Sequence, residues 1–133
     1  RVLVSMIGAG HPLNIDGLGG GNPVATKTAM LSASDDDWAD IDYFFAQVAV
    51  DKPLVDYAPT CGNILSGVGP AAVELGLIAP LDGATTVRIR MVNTGARAEA
   101  RFDERGGHPV YGGAQSIHGV PGSAAPVSAR APA

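Results

Sequence analysis

Two residues in this 133-residue chain are of the types that move protons and sit where such chemistry is favoured: Cys61 and Lys27. Cys61 is the only cysteine, and it opens the apolar run "CGNILSGVGPAAVELGLI". That run reads as a helix from Gly62 to about Leu77, which places the thiol at its mouth. The first turn of a helix leaves backbone N–H groups unpaired and carries positive potential. A thiol there is held more readily as thiolate, the reactive form. Gly62 lets a substrate approach the main chain, and the N–H groups from Gly62 and Asn63 onward are placed to hold a carboxylate. The competing reading is a small buried cysteine that serves as a hydrophobe.

Lys27 falls, by strand periodicity, on the same face as Ala25, Ala29 and Leu31. A lysine on an apolar face loses hydration, which makes it a better base. Its competing reading is an edge lysine that reaches solvent. The loop "DGLGGGNP" (Asp16 to Pro23), with Gly19 and Gly20, offers backbone amides to an anion or is simply a tight turn. It matches neither the dinucleotide fingerprint nor a phosphate loop. Ser123, in "GVPGSAAP", is a hydroxyl donor for a carboxylate or a turn residue. His11, His108 and His118 do not cluster, so no zinc site is expected. "DDD" (Asp35 to Asp37) lacks the calcium-loop pattern and reads as a solvated turn.

The elements that must position these groups are short and punctuated by glycine and proline. Arg1 to Ile7 reads as the end of a helix or a short strand. Val24 to Ser34 and Ile41 to Val50 read as strands, the second with an apolar Phe44, Ala46, Val48 and Val50 face. Val87, Ile89 and Met91 alternate with arginines, as do Ala96, Ala98, Ala100 and Phe102 with Arg97, Glu99 and Arg101. "NTG" (Asn93 to Gly95) supplies the turn of this hairpin, and Glu99 is available to pair with an arginine across it. Pro70 should bend the Gly62–Leu77 helix. The architecture expected is α+β: a buried helix wrapped by twisted antiparallel strands.

A hydrophobic content of 46% with 17% charged residues describes one folded domain over residues 1–133. The net charge of −4 gives no electrostatic case for nucleic acid or an acidic membrane surface. No run approaches the ~18 apolar residues of a membrane helix. A single cysteine fits a reducing, cytoplasmic setting.

"IDGLGG…TK", "DYFFAQVAVD…VDY…CGNILSGVGP", "VRIRMVNTG" and "GVPGSAAP", in this order, resemble the 2-methylaconitate isomerase (PrpF-like) family, and above all its 4-oxalomesaconate tautomerase branch. The resemblance implies a diaminopimelate epimerase-like fold of two pseudo-symmetric halves, each a β-barrel-like antiparallel sheet around a central helix. It implies a site between the halves, with Cys61 and Lys27 as acid and base and no cofactor or metal. Gly19, Gly20, Thr26, Gly62, Asn63 and Ser123 would contact a small di- or tricarboxylate. By the same resemblance the chain is part of an N-terminal half, without the family's N-terminal strand and its Arg-Gly-Gly-Thr-Ser-Lys-Gly-type loop. An uncovered inter-half surface would favour self-association, with a homodimer as one form. The chain departs from the family at Asn22, Pro23 and Ala25, where hydroxyl residues are usual, and at His118, where aspartate is usual. The reaction implied is keto–enol tautomerisation of 4-oxalomesaconate; isomerisation of 2-methylaconitate or a related acid is the alternative, and a folded but non-catalytic domain is the other.

Overall fold

The computed structural model describes residues 1–22 and 24–132. Pro23, which closes the glycine loop in the sequence, lies outside the described residues. The elements run α1 (Val2–Ile7), β1 (Lys27–Ala33), β2 (Ile41–Val48), β3 (Val55–Asp56), α2 (Gly62–Leu65), α3 (Val68–Glu74), β4 (Gly83–Met91), β5 (Ala96–Arg105), β6 (His108–Pro109) and β7 (Ser128–Arg130). The strands form one sheet in the order β1-β2-β4-β5-β6, with β3 added to β2 and β7 to β5. The sheet curls as a half-barrel around α3, which packs against β1, β4, β5 and β6.

Every pairing is antiparallel except β2 with β4, which run parallel over Ile41–Tyr43 and Ile89–Met91. The sheet is therefore mixed, not wholly antiparallel as the sequence suggests. The parallel seam follows from connectivity. A chain that leaves β2 and returns beside it in the same direction needs a crossover, and residues 49–82 supply it.

The core fills the inner face of the curl. Ile41, Tyr43 and Phe45 of β2, Val87 and Ile89 of β4, and Ala100 and Phe102 of β5 meet Val68, Ala72 and Val73 of α3. This corrects the face read for β2: its odd residues dominate the core, and Phe44 is half-buried, stacked on Tyr57 at 5.4 Å between ring centroids. Ala46 and Val48 are buried as well. A strand covered on both sides loses the alternation that would reveal its inner face. Alanines on β5 let α3 approach closely. A Cβ built on Gly69 would stand 2.7 Å from the Phe102 ring and 3.2 Å from the Ala100 methyl.

The long helix expected over Gly62–Leu77 is two helices. Pro70 does not bend it in place but sits in the first turn of α3, where a missing N–H costs nothing. Continuous helix would need the Pro70 nitrogen to bond the Ser66 carbonyl, so the chain breaks one turn upstream, at Ser66 and Gly67. Gly76 ends α3 in the left-handed region at φ 68°, with its N–H on the Val73 carbonyl and that of Leu77 on the Ala72 carbonyl. Val2–Ile7 form a helix with Arg1 at its N-cap, and β1 begins three residues later than read because Asn22 holds the chain in a turn, its Oδ1 accepting from the Val24 N–H at 3.0 Å. The hairpin of β4 and β5 is as read, with Val87, Ile89, Ala98, Ala100 and Phe102 buried. Glu99 does pair with an arginine, but with Arg130 of β7 at 3.0 Å, because the facing Arg88 is bound to Asp40 at 2.8 Å.

Candidate active site

Cys61 is the N-cap of α2, in extended conformation at φ −135° and ψ 110°, with its carbonyl accepting from the Leu65 N–H at 3.1 Å. Its side chain is half-buried and packs against the core cluster. Among the described residues it makes no capping hydrogen bond. Gly62 and Asn63 follow it on the surface, and no atom stands within 4 Å of a Cβ built on Gly62, so the main chain there is open to an approaching group. Because α2 is a single turn, its dipole is that of one turn and not of the long helix read from the sequence.

Lys27 is the first residue of β1 and pairs with Gln47. Its register places it with Ala29 and Leu31 on the inner face, the side on which Cys61 packs, as strand periodicity predicts. The side chain itself is exposed, so the loss of hydration expected for it does not occur. The inner face runs out before Lys27: Leu31, opposite Tyr43, lies about 13 Å further along the strand at the usual rise per residue.

Thr26 precedes Lys27, 4% exposed, and its hydroxyl accepts from Gln47 Nε2 at 2.6 Å. The Val48 N–H donates to its carbonyl at 2.8 Å, so the approach to Lys27 is fixed on both sides of the chain. In the glycine loop, the Gly20 N–H donates to the Gly17 carbonyl at 2.8 Å. A Cβ on Gly20 would fall 2.0 Å from the Asn14 carbonyl oxygen, so glycine is required there by packing. Gly19 is exposed at φ 71°. Ser123 is exposed in a loop that a Gln115–Ala124 bridge closes. His118 is exposed in the same loop. No group of three or more metal-ligating side chains occurs among the described residues.

A cavity of about 550 Å³ lies between α3 and the 110–127 segment, lined by Ser66, Pro70, Ala71, Leu75, Tyr111 and Val127. Neither Cys61 nor Lys27 lines it. "DDD" lies in the turn between β1 and β2 with Asp35 and Asp37 exposed, as read, while half-buried Asp36 accepts from the Trp38 and Ala39 N–H groups and from Arg97.

One residue near the thiol escaped sequence reasoning. Tyr43 is 1% exposed in the core beside Cys61's packing surface. Burial first, and then the charge of Cys61, push its phenol up to about 12. The signal was a hydroxyl at an inner-face position of a buried strand, but alternation alone does not say which face of β2 is inner.

Comparison with known proteins places these observations in a lineage. The PrpF protein family profile matches residues 1–131. The chain is 52% identical over 128 residues to the YbhH protein of Escherichia coli strain K12, covering 96% of this chain and 37% of that one. It is 49% identical over 125 residues to the 4-oxalomesaconate tautomerase of Pseudomonas putida, covering 94% of this chain and 35% of the enzyme. The crystal structure of a methylitaconate-delta-isomerase superposes with a TM-score of 0.89 at 37% identity, over 95% of this chain and 56% of that one. The chain thus spans a little over a third of the length of these curated relatives. No helix among the described residues is long and apolar enough to cross a membrane.

Proposed function

This chain belongs to the PrpF family, and from that we propose that it contributes the Cys61 and Lys27 side of a cofactor-independent isomerase acting on a small unsaturated keto- or tricarboxylic acid. Keto–enol tautomerisation of 4-oxalomesaconate is the first reading, supported by the likeness to the Pseudomonas putida tautomerase. The observation that carries it is Cys61: a half-buried thiol at a helix start, followed by exposed Gly62 and Asn63, on the inner side of the sheet that Lys27 shares.

Tautomerisation requires one base and one acid. The base takes the proton from the carbon beside the keto group, the electron pair moves into the C–C bond, and the acid delivers a proton to the enol oxygen; the reverse direction exchanges the roles. Cys61 and Lys27 are the two groups assigned to this transfer. Gly62 and Asn63 lie where a substrate carboxylate would meet open main chain, and Thr26, Gly19, Gly20 and Ser123 are assigned to substrate contact. General acid–base help of this kind is worth about 10²–10⁴ in rate. Isomerisation of 2-methylaconitate or a methylitaconate-type acid is the second reading, favoured by the solved structure that matches the fold. A small carboxylate is thus the partner proposed, with no nucleic acid or membrane, in the cytoplasm, and with a homodimer as the form that covers exposed apolar surface.

The test is turnover by the gene product that carries these residues, followed by ultraviolet absorbance of the keto–enol change and by product analysis with 2-methylaconitate. Preference for the keto acid supports the first reading, and preference for 2-methylaconitate the second. No turnover of either would leave a folded, non-catalytic domain. Near wild-type turnover by Cys61→Ala would remove Cys61 from the chemistry.

A further inference from the structure

The outer face of β4, β5 and β7 carries its polar side chains in rows that the strand register sets. Arg88, Glu99 and Arg130 face one another in one row, and Thr86, Arg101 and Ser128 in the next. Residues that face across paired strands project to the same side, with Cβ atoms about 4.5–5.5 Å apart. Val87, Ala100 and Phe102, their neighbours along the strands, are buried, so this side is the solvent side.

The first row is closed. Arg88 holds Asp40 at 2.8 Å, and Arg130 gives Nε and Nη2 to one oxygen of Glu99 at 3.1 and 3.0 Å. Elsewhere on this face Arg90 holds Asp42 and Arg97 holds Asp36. The second row is open. Arg101 has no carboxylate within ion-pair distance among the described residues. A hydroxyl stands on each side of it, Thr86 on β4 and Ser128 on β7, and neither takes part in the Arg130–Glu99 bonds.

These groups line one small cavity, bounded by Thr86, Glu99, Arg101, Ser128 and Arg130. Neither Cys61 nor Lys27 lines it. At about 180 Å³ it is smaller than the roughly 300–1,000 Å³ of pockets that enclose a whole cofactor or drug-sized molecule. It still has room for about six waters at about 30 Å³ each, enough for one carboxylate or phosphate group with part of its hydration shell. Charge decides the sign of the occupant. Glu99 is neutralised by Arg130, which leaves one guanidinium flanked by hydroxyl donors. The planar fork of a guanidinium matches two oxygens of a carboxylate or a phosphate.

We infer that the Thr86–Arg101–Ser128 row binds a single oxyanion group, a carboxylate or a phosphate. The Arg101 guanidinium supplies the charge, and the two hydroxyls donate to the anion from either side. The inference does not depend on the acid–base reading of Cys61 and Lys27, and it involves no covalent step.

The test is an NMR titration of the isotopically labelled protein with inorganic phosphate and, separately, with acetate. Backbone amide and arginine Nε–H resonances are followed, and sodium chloride holds the ionic strength constant so that general screening does not contribute. The expected result is a saturable shift centred on Thr86, Arg101 and Ser128 with at least one of the two anions. Saturation by phosphate alone identifies a phosphate site, by acetate alone a carboxylate site, and by both a general oxyanion site. Arg101→Gln should weaken that binding about tenfold, the loss of a charge-assisted pair, and Ser128→Ala should weaken it less. Both side chains are exposed, and the same spectra report whether each variant keeps the fold. Shifts that stay linear for both anions would leave Arg101 a solvated side chain and overturn the inference. Saturation unchanged in Arg101→Gln would overturn it equally. Turnover enters neither readout, so a failure of the acid–base reading leaves this result standing.

Discussion

The side chain of Asn93 pairs with the main chain of Phe45 as a strand would: its Oδ1 accepts from the Phe45 N–H at 2.7 Å and its Nδ2 donates to the Phe45 carbonyl at 2.8 Å. The same Nδ2 also donates to the Tyr57 carbonyl. This side chain fills a gap on one edge of β2, where β4 pairs only as far as Tyr43 and β3 begins at Gln47. Asn93→Ala should cost about 2 kcal/mol in urea unfolding, because it leaves the Phe45 N–H and carbonyl without partners. Asn93→Asp should do no better, since a carboxylate cannot donate to either carbonyl. A loss of only a few tenths for both would show that water replaces the side chain.

Gly69→Ala tests how closely α3 lies on β5. The added methyl meets the Phe102 ring and the Ala100 methyl at distances that demand movement. Overpacking of this kind costs about 1–3 kcal/mol, so the midpoint of unfolding should fall, even though alanine is the better helix former. An unchanged or raised midpoint would mean that the Phe102 ring rotates away freely.

Lys27→Met separates chemistry from stability. The lysine is exposed at the start of β1, so its replacement should shift thermal unfolding little. Turnover by the gene product should drop by about 10²–10⁴ if Lys27 is one of the two proton-transfer groups. Full activity would make Lys27 a solvated strand end and nothing more.

Acid should weaken the fold through Asp42. Hydrogen bonds from Arg90, opposed by burial and aided by the Ser34 hydroxyl, hold its carboxyl below the ordinary value of 3.8. A depressed folded-state value means that the stabilisation is present above the ordinary value and is lost as pH falls through the folded one. The melting-temperature gap between the unmodified chain and Asp42→Asn should therefore be largest near neutral pH and should close below about pH 3.8. A gap that stays constant into acid would assign the effect to packing.

The strongly patterned parts of the fold were legible in the sequence. The β4–β5 hairpin announces itself because its outer face is solvated and its inner face is not, as Arg88 beside Val87 and Ile89 shows. Cys61 at a helix start and Lys27 on the inner face were equally readable, since cap position and strand period are local properties. What was hidden depends on distant chain. The inner face of β2 is set by what covers each side, the break at Ser66 by a proline four residues on, and the role of Asn93 by a strand 48 residues away. Lys27 looked desolvated from its strand neighbours, yet it lies beyond the rim of the core, and a period of two carries no information about where a core stops.

The parallel pairing of β2 with β4 has a consequence for the order in which the domain is assembled. Two hairpins, β1 with β2 and β4 with β5, are each closed by short turns and can form early from neighbouring chain. β2 and β4 face each other over three residue pairs, reinforced by side-chain bonds such as Arg88–Asp40, Arg90–Asp42 and Asn93–Phe45, across a crossover that carries α2 and α3. Contacts between such distant segments form late, after the chain has given up the entropy of closing the connection. Tyr43 and Met91 face each other in this join, and the crossover holds Cys61. Amide exchange at residues 41–43 should accordingly outpace that within the β4–β5 hairpin. The thiol thus gains its surroundings only as the two hairpins dock, and a local opening along that join would undo them while leaving both hairpins standing.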